Sequence, residues 1–137
     1  MLIKEWREER VYKNMMKSFT NGITRAFILY TLYSEPMHGY EIVNRINHCF
    51  EHAIKTQSIN KVPTSKIYPL LNKMEISGII ESEDRLNEKT QKNVKFYKIT
   101  EKGEQLLFQG RKINHEMFYN EYYKNFINFI NGLDEDA

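Results

Sequence analysis

A single cysteine, Cys49, leaves no partner for an intrachain disulfide and points to a reducing compartment. No apolar run approaches the roughly 20 residues that a membrane-spanning helix needs. The opening MLIKEWREER carries charges where a secretory signal would need an apolar core. There is no Gly-rich phosphate loop, and no nucleophile stands beside an evident base, so catalysis finds no foothold. Internal repeats, low-complexity tracts and interdomain linkers are also missing. The formal net charge is only +2, so any affinity for a polyanion must rest on where the charges sit. These shortages predict a cytoplasmic, untethered protein with no membrane partner, no cofactor, no resident metal and no enzymatic activity.

What is present suits one domain: 137 residues, 41% hydrophobic and 28% charged. Leu2 to Phe19 reads as a helix with Ile3, Trp6, Tyr12, Met15, Met16 and Phe19 mostly on one side and charges on the other. Trp6 is read first as a packing anchor, with a second subunit as its partner. Ile23 to Tyr33 is apolar nearly all round, which suits a helix at the centre of a small bundle. Ser34-Glu35-Pro36 ends it. His38 to Ala53 then carries Ile42, Val43, Ile46, Cys49 and Phe50 at helical spacing, with His38 at the helix start, capping its own turn or facing a phosphate backbone.

The chain is organised around Pro63 to Thr100. Ser65 is the expected N-cap of a short helix, and Pro69 lies near enough to its start to be tolerated. Ile67, Leu70, Leu71 and Met74 define the buried stripe. The opposite face carries Ser65, Lys66, Tyr68, Asn72 and Lys73, the donors, acceptors and cations that meet phosphate oxygens and base edges. Gly78 should stop the helix. Ile79 to Leu86 and Val94 to Ile99 read as strands joined by a polar, Gly-free turn that includes Lys89 and Lys92. With Lys95 and Lys98 on the returning strand, the hairpin is expected to present positive charge without a run of neighbouring acids. Three helices, the last short and basic, followed by a hairpin, are the order of a winged helix-turn-helix. The fold expected is therefore mainly α with a small β-hairpin, an α+β class.

From Glu101 to about Ile130 a helix is predicted, capped by Thr100, with Gly103 leaving room for a close backbone. Its apolar positions run through Leu106, Leu107, Ile113, Met117, Phe118, Tyr122, Phe126, Phe129, Ile130 and Leu133. At ~1.5 Å per residue such a helix is about 45 Å long, more than a small domain can cover with its own surface. A second copy is the economical partner, because two-fold homodimers are the commonest oligomers. A kink at Gly110 would divide it into two. The expected organisation is a DNA-binding domain over 1–100, a dimerisation helix over 101–133 and a frayed tail over 134–137.

Three blocks carry a family resemblance. Pro36-Met37-His38-Gly39-Tyr40-Glu41-Ile42, then Ile67-Tyr68-Pro69-Leu70-Leu71 with Met74-Glu75 and Gly78-Ile79-Ile80, then Lys95-Phe96-Tyr97-Lys98-Ile99-Thr100-Glu101-Lys102-Gly103, together resemble the PadR family of bacterial transcriptional regulators. The resemblance covers about Ile23 to Leu107. It implies a homodimeric winged-helix repressor on double-stranded operator DNA, with the Ile67 to Met74 helix in the major groove, the hairpin near the minor groove, and release by a small aromatic or cationic effector near the dimer interface. Ser65-Lys66 stands where the family usually has a small residue and then Thr, so no operator sequence carries over.

The DNA-contacting set expected from these readings is His38, Tyr40, Ser65, Lys66, Tyr68, Asn72, Lys73, Lys89, Lys92, Lys95 and Tyr97. The set expected at the dimer contact or an effector pocket is Trp6, Met117, Phe118, Tyr122, Phe126 and Phe129. A soft-metal site can be drawn from His48, Cys49, Glu51 and His52, but it lacks a second ligand pair at established spacing and is set aside. The rival to DNA binding is a winged helix that docks another regulator. That version should expose aliphatic side chains on the third helix rather than Lys66, Tyr68, Asn72 and Lys73.

Overall fold

The computed structural model describes residues 2–134, with the side chains of residues 2–8, 12, 16 and 20 left outside the description. Trp6 therefore lies outside the described residues as a site candidate. The elements run α1 (Leu2–Ser34), β1 (Met37–His38), α2 (Gly39–Cys49), α3 (Glu51–Lys55), α4 (Thr64–Ile76), β2 (Ile80–Asn87), β3 (Lys92–Ile99), α5 (Glu101–Met117) and α6 (Glu121–Ile130). The protein is mostly helical with one small antiparallel sheet of order β1-β3-β2. The chain divides into two compact units, Met1–Glu104 and Gln105–Ala137.

The first unit has a core drawn from every one of its larger elements. Ile28 and Leu32 of α1, Met37 of β1, Ile42 and Ile46 of α2, Ile67 and Leu71 of α4, and Ile80 of β2 are its largest fully buried side chains. On α4 the stripe forms as the spacing requires, with Ile67, Leu71 and Met74 buried and Leu70 half-buried. Burial of each such side chain contributes about 1.5–3 kcal/mol, which fixes the rotation of α4 about its axis. Ser65, Lys66, Tyr68, Asn72 and Lys73 are in consequence all exposed.

Several local expectations are corrected. Ser65 is not the cap: the helix begins at Thr64, Pro63 holds the N-cap position in an extended conformation, and no side chain caps it. Pro suits that place, since its ring disfavours the helical conformation at the preceding residue, Val62, and so stops the helix from extending backwards. Pro69 then leaves the Ser65 carbonyl without its helical donor, on the exposed side of the helix. The two N-terminal helices are one, because nothing between Phe19 and Ile23 breaks them; a lone interior glycine, Gly22, costs only about 1 kcal/mol. The stretch expected to be buried all round instead buries one face, Thr24, Ile28, Leu29, Thr31 and Leu32, and exposes Ile23, Ala26, Tyr30 and Tyr33. His38 to Ala53 is not one helix either. His38 belongs to β1, α2 starts after it, and α3 follows a break at Phe50.

The exit from α4 and the entry to α5 are built together. Gly78 takes φ +78, its N–H bonds the Glu75 carbonyl at 2.9 Å, and the Ile79 N–H bonds the Met74 carbonyl at 3.2 Å. This is a left-handed cap with both terminal carbonyls satisfied. Thr100 then does two things: its hydroxyl donates to the Gly78 carbonyl at 2.6 Å and accepts the Gly103 N–H at 3.1 Å. A Cβ on Gly103 would run into the Ile79 carbonyl oxygen, so the close approach expected there is real.

The second unit comprises the rest of α5 and all of α6. The expected single helix is broken, and not at Gly110, which lies inside α5 with open space around it. Instead the Tyr119 and Asn120 N–H groups turn back to the Glu116 and Met117 carbonyls, and the Asn120 side chain then accepts the Tyr123 N–H at 3.1 Å. Asn is a strong N-cap, so the chain restarts a helix there at little cost. Tyr123 Oη donates to Asn114 Oδ1 at 2.7 Å and the Phe118 and Tyr123 rings meet edge to face, which holds the corner.

Candidate nucleic-acid interface

Helix α4 is positioned by contacts with α2 and β2. Its approach loop is held by Asn47 of α2, whose side-chain amide donates to the Val62 carbonyl at 3.0 Å and accepts the Val62 N–H at 2.8 Å. One side chain thus acts as a strand partner for Val62, two residues before α4. Asn47 was not singled out by the sequence reading, and its only local signal is an amide next to the buried Ile46. On the far side, the Ser82 hydroxyl of β2 donates to a carboxylate oxygen of Glu75 of α4, tying helix to hairpin.

Between α2, α4 and the hairpin lies a cleft of about 660 Å³, lined among others by His38, Tyr40, Tyr68, Asn72, Lys95 and Tyr97. Six of the expected DNA-contacting residues therefore meet at one place. The Tyr68 ring lies against the first turn of α2, where a Cβ on Gly39 would sit 2.6 Å from Tyr68 Cε1. Tyr40 is exposed.

Two members of the set differ from expectation. Tyr97 is only 4% exposed and lines the cleft as a core residue, with little surface to offer a duplex. Burial first, then the Glu75 carboxylate and Tyr68, push its phenol above the ordinary value. His38 caps nothing with its side chain; its ring packs edge-on against Phe96 at 5.1 Å, and its Nδ1 is buried without a partner among the described residues.

The hairpin corrects a further expectation, because its acids are close. Register puts Glu81 opposite Lys98 and Asp84 opposite Lys95. Lys98 Nζ pairs with Glu81 at 3.0 Å, and Arg85 stacks on Phe96 at 3.9 Å while donating to Glu83 at 2.7 Å. Lys89, Lys92 and Lys95 are exposed and make no ion pair with the described residues. The cations are thus concentrated toward the tip, and the turn is built without glycine by Gln91 at φ 58.

In the second unit, Met117, Tyr122, Phe126 and Phe129 are exposed and Phe118 is half-buried. A groove of about 630 Å³ there is lined by Phe108, Arg111, Lys112, Asn114, His115 and Phe118. His48 pairs with Glu51 at 3.5 Å, but among the described residues no group of three or more His, Cys, Asp or Glu could hold a metal ion. Nor, among them, is any helix long and apolar enough to cross a membrane.

Comparison with known proteins agrees with this geometry. Residues 28–109 match the transcriptional regulator PadR-like family. A transcriptional regulator of Thermoplasma acidophilum is similar in structure at 30% identity, over 72% of this chain and 93% of its own, with a TM-score of 0.52. A PadR-like transcriptional regulator of Bacillus cereus is similar at 27% identity, over 69% of this chain and 84% of its own, with a TM-score of 0.56. A PadR-like transcription factor of Bacteroides fragilis, at 21% identity, shares the fold over 85% of this chain and 98% of its own, with a TM-score of 0.59. No curated protein matches the chain. The matched region spans more than half the sequence, over a winged helix whose α4 leaves a polar face exposed, which makes this chain a member of the PadR-like family, a DNA-binding transcriptional regulator and not an enzyme.

Proposed function

We propose that the protein is a cytoplasmic repressor that binds an inverted-repeat operator as a homodimer, with α4 in the major groove and the β2–β3 tip near the minor groove. The observation that carries the DNA-facing part is the outer face of α4, where Ser65, Lys66, Tyr68, Asn72 and Lys73 stand exposed together beside the unpaired lysines of the hairpin. Asn72 and Lys66 have the chemistry to read adenine and guanine edges, and the wing lysines have the chemistry to hold phosphates. Residues 1–100 act as the DNA-binding part and 101–133 as the dimerisation part. Dimerisation is supported by the apolar side chains that α5 and α6 leave uncovered, among them Met117, Phe126, Phe129 and Ile130. A small aromatic effector suits the groove beside Phe118, and the Arg111 and Lys112 in its wall favour an anionic ring over a cationic one.

The protein-docking alternative finds one exposed aliphatic on α4, Ile76 in its last turn, away from the polar first turns. The test is selection of bound sequences from a random duplex pool. An inverted repeat should emerge, with half-site centres about one helical turn apart, roughly 10 base pairs, or a multiple of that. Recovery of no sequence preference, or of half-sites indifferent to spacing, would overturn the dimeric repressor.

A further inference from the structure

A second cavity opens beside the reading helix, on the side of its approach loop. It measures about 270 Å³ and is lined by Lys17 of α1, then Ile59, Asn60, Lys61, Val62, Pro63 and Lys66. Three of its seven lining residues are lysines and none is an acid. That composition contrasts with the cleft beside the wing, whose wall includes Glu41 and Glu75. None of the three lysines makes an ion pair with the described residues, although Lys13, Lys55 and Lys98 each hold a carboxylate elsewhere on the surface. Three lysines without a carboxylate partner among the described residues, lining one small, open cavity, set like charges near one another, and an anion between them would relieve that repulsion. The loop that brings them there is fixed rather than loose, since Asn47 clamps Val62 through both of its hydrogen-bonding groups. Lys17 lies outside the residues that match the family, so α1 adds to the site something the matched region lacks.

We propose that Lys17, Lys61 and Lys66 form a phosphate seat at the start of α4, which takes a backbone phosphate of the bound duplex. The chemistry is that of a phosphate oxyanion among compact, strongly hydrated point charges, which position without reading sequence. Its assignment to a duplex rests on the DNA-binding reading above. Lys66 then commits its charge to the phosphate, so the guanine reading open to its chemistry gives way, and base reading on α4 falls to Asn72 and its neighbours. The seat and the wing lysines grip the backbone from either side of the reading helix.

The test uses the full-length protein and the paired variant Lys17→Gln/Lys61→Gln, with Lys55→Gln as the control, each checked for an unchanged thermal unfolding curve. Binding to a selected operator and to an unrelated duplex is followed by fluorescence anisotropy across a salt series. The paired variant should flatten the slope of log K against log salt by about 0.9 for each seat lost, about 1.8 for the two seats of a dimer. It should lose affinity in equal proportion on both duplexes, and the control should change neither. An unchanged slope, or a loss confined to the operator, overturns the duplex phosphate. Titration with inorganic pyrophosphate, followed by amide NMR, separates the sources. Shifts centred on Lys61 to Lys66 together with an unchanged DNA slope would assign the seat to a free phosphate compound and overturn the duplex assignment. Should the unmodified protein bind no duplex, the functional reading fails by itself, and the pyrophosphate titration alone decides the seat: localised shifts support it and their absence overturns it.

Discussion

The two units of this chain use the same kind of amphipathic helix to opposite ends. In the first, α4 buries Ile67, Leu71 and Met74 within its own chain and leaves a polar face outward. In the second, α6 has a sharper separation of faces yet buries none of its residues, and Phe126, Phe129 and Ile130 remain exposed. A helix that finds its apolar partner within the chain becomes a rigid platform for side chains. One that does not has surface left for another molecule, since contiguous exposed apolar patches on a soluble chain mark interaction sites.

The strongest way to break that contrast is to damage each unit's apolar positions in turn. Leu71→Ala should cost about 2–5 kcal/mol of stability through the cavity it leaves, read as a lower midpoint in urea unfolding at any protein concentration. Phe126→Glu with Phe129→Glu should instead convert dimer to monomer in sedimentation velocity and weaken operator binding sharply, with the fold of the first unit preserved by circular dichroism. A doubly substituted chain that sediments as the unmodified protein does would show that the exposed rings are not an interface.

Within the first unit, the clamp on the approach loop offers a finer test. Asn47→Ala removes both bonds to Val62 and should destabilise by about 1–3 kcal/mol, because it leaves part-buried backbone groups unpaired. DNA affinity should fall further than stability alone explains, as α4 and the lysine cavity lose their common anchor. Equal losses from Asn47→Ala and from a core substitution of matched ΔΔG would mean that the clamp only stabilises.

The wing lysines come next in size. If Lys89, Lys92 and Lys95 touch phosphates, replacing all three with Gln should flatten the salt slope by about 0.9 per lost contact and weaken all duplexes alike. An unaltered slope would reduce the hairpin to a solvated ribbon.

The smallest effect expected is at Tyr97. Its phenol titrates above the ordinary value in the folded protein, chiefly through burial, so the neutral form is favoured by folding. The stability this gives is fully present below the unfolded phenol value near 10 and is lost as pH rises through the folded value. Tyr97→Phe should therefore lessen the steepness of alkaline unfolding above about pH 10. Identical alkaline profiles for the two proteins would remove Tyr97 from the account.

The sequence by itself determined what depends on short-range order. The stripe of α4, its outward polar face, the Gly78 exit, the Thr100 cap and the two strands all follow from side-chain period or from bonds spanning a few residues, so each is written locally. Two of the three family blocks lie in those same segments. Other features needed the tertiary structure, because they depend on which distant residues meet. Antiparallel register puts Glu81 against Lys98, which pairs there at 3.0 Å, and so leaves Lys89, Lys92 and Lys95 as the wing's unpaired lysines among the described residues. Packing of β3 against α1, α2 and β1 turns Tyr97 from a candidate contact into core. The corner between α5 and α6 falls at Asn120 rather than Gly110, since a side-chain cap backed by the Tyr123–Asn114 bond outweighs a glycine's modest helix penalty. Lys17, Lys61 and Lys66 converge only because α1 passes the loop that Asn47 holds, and no periodicity in a single segment encodes a meeting of three.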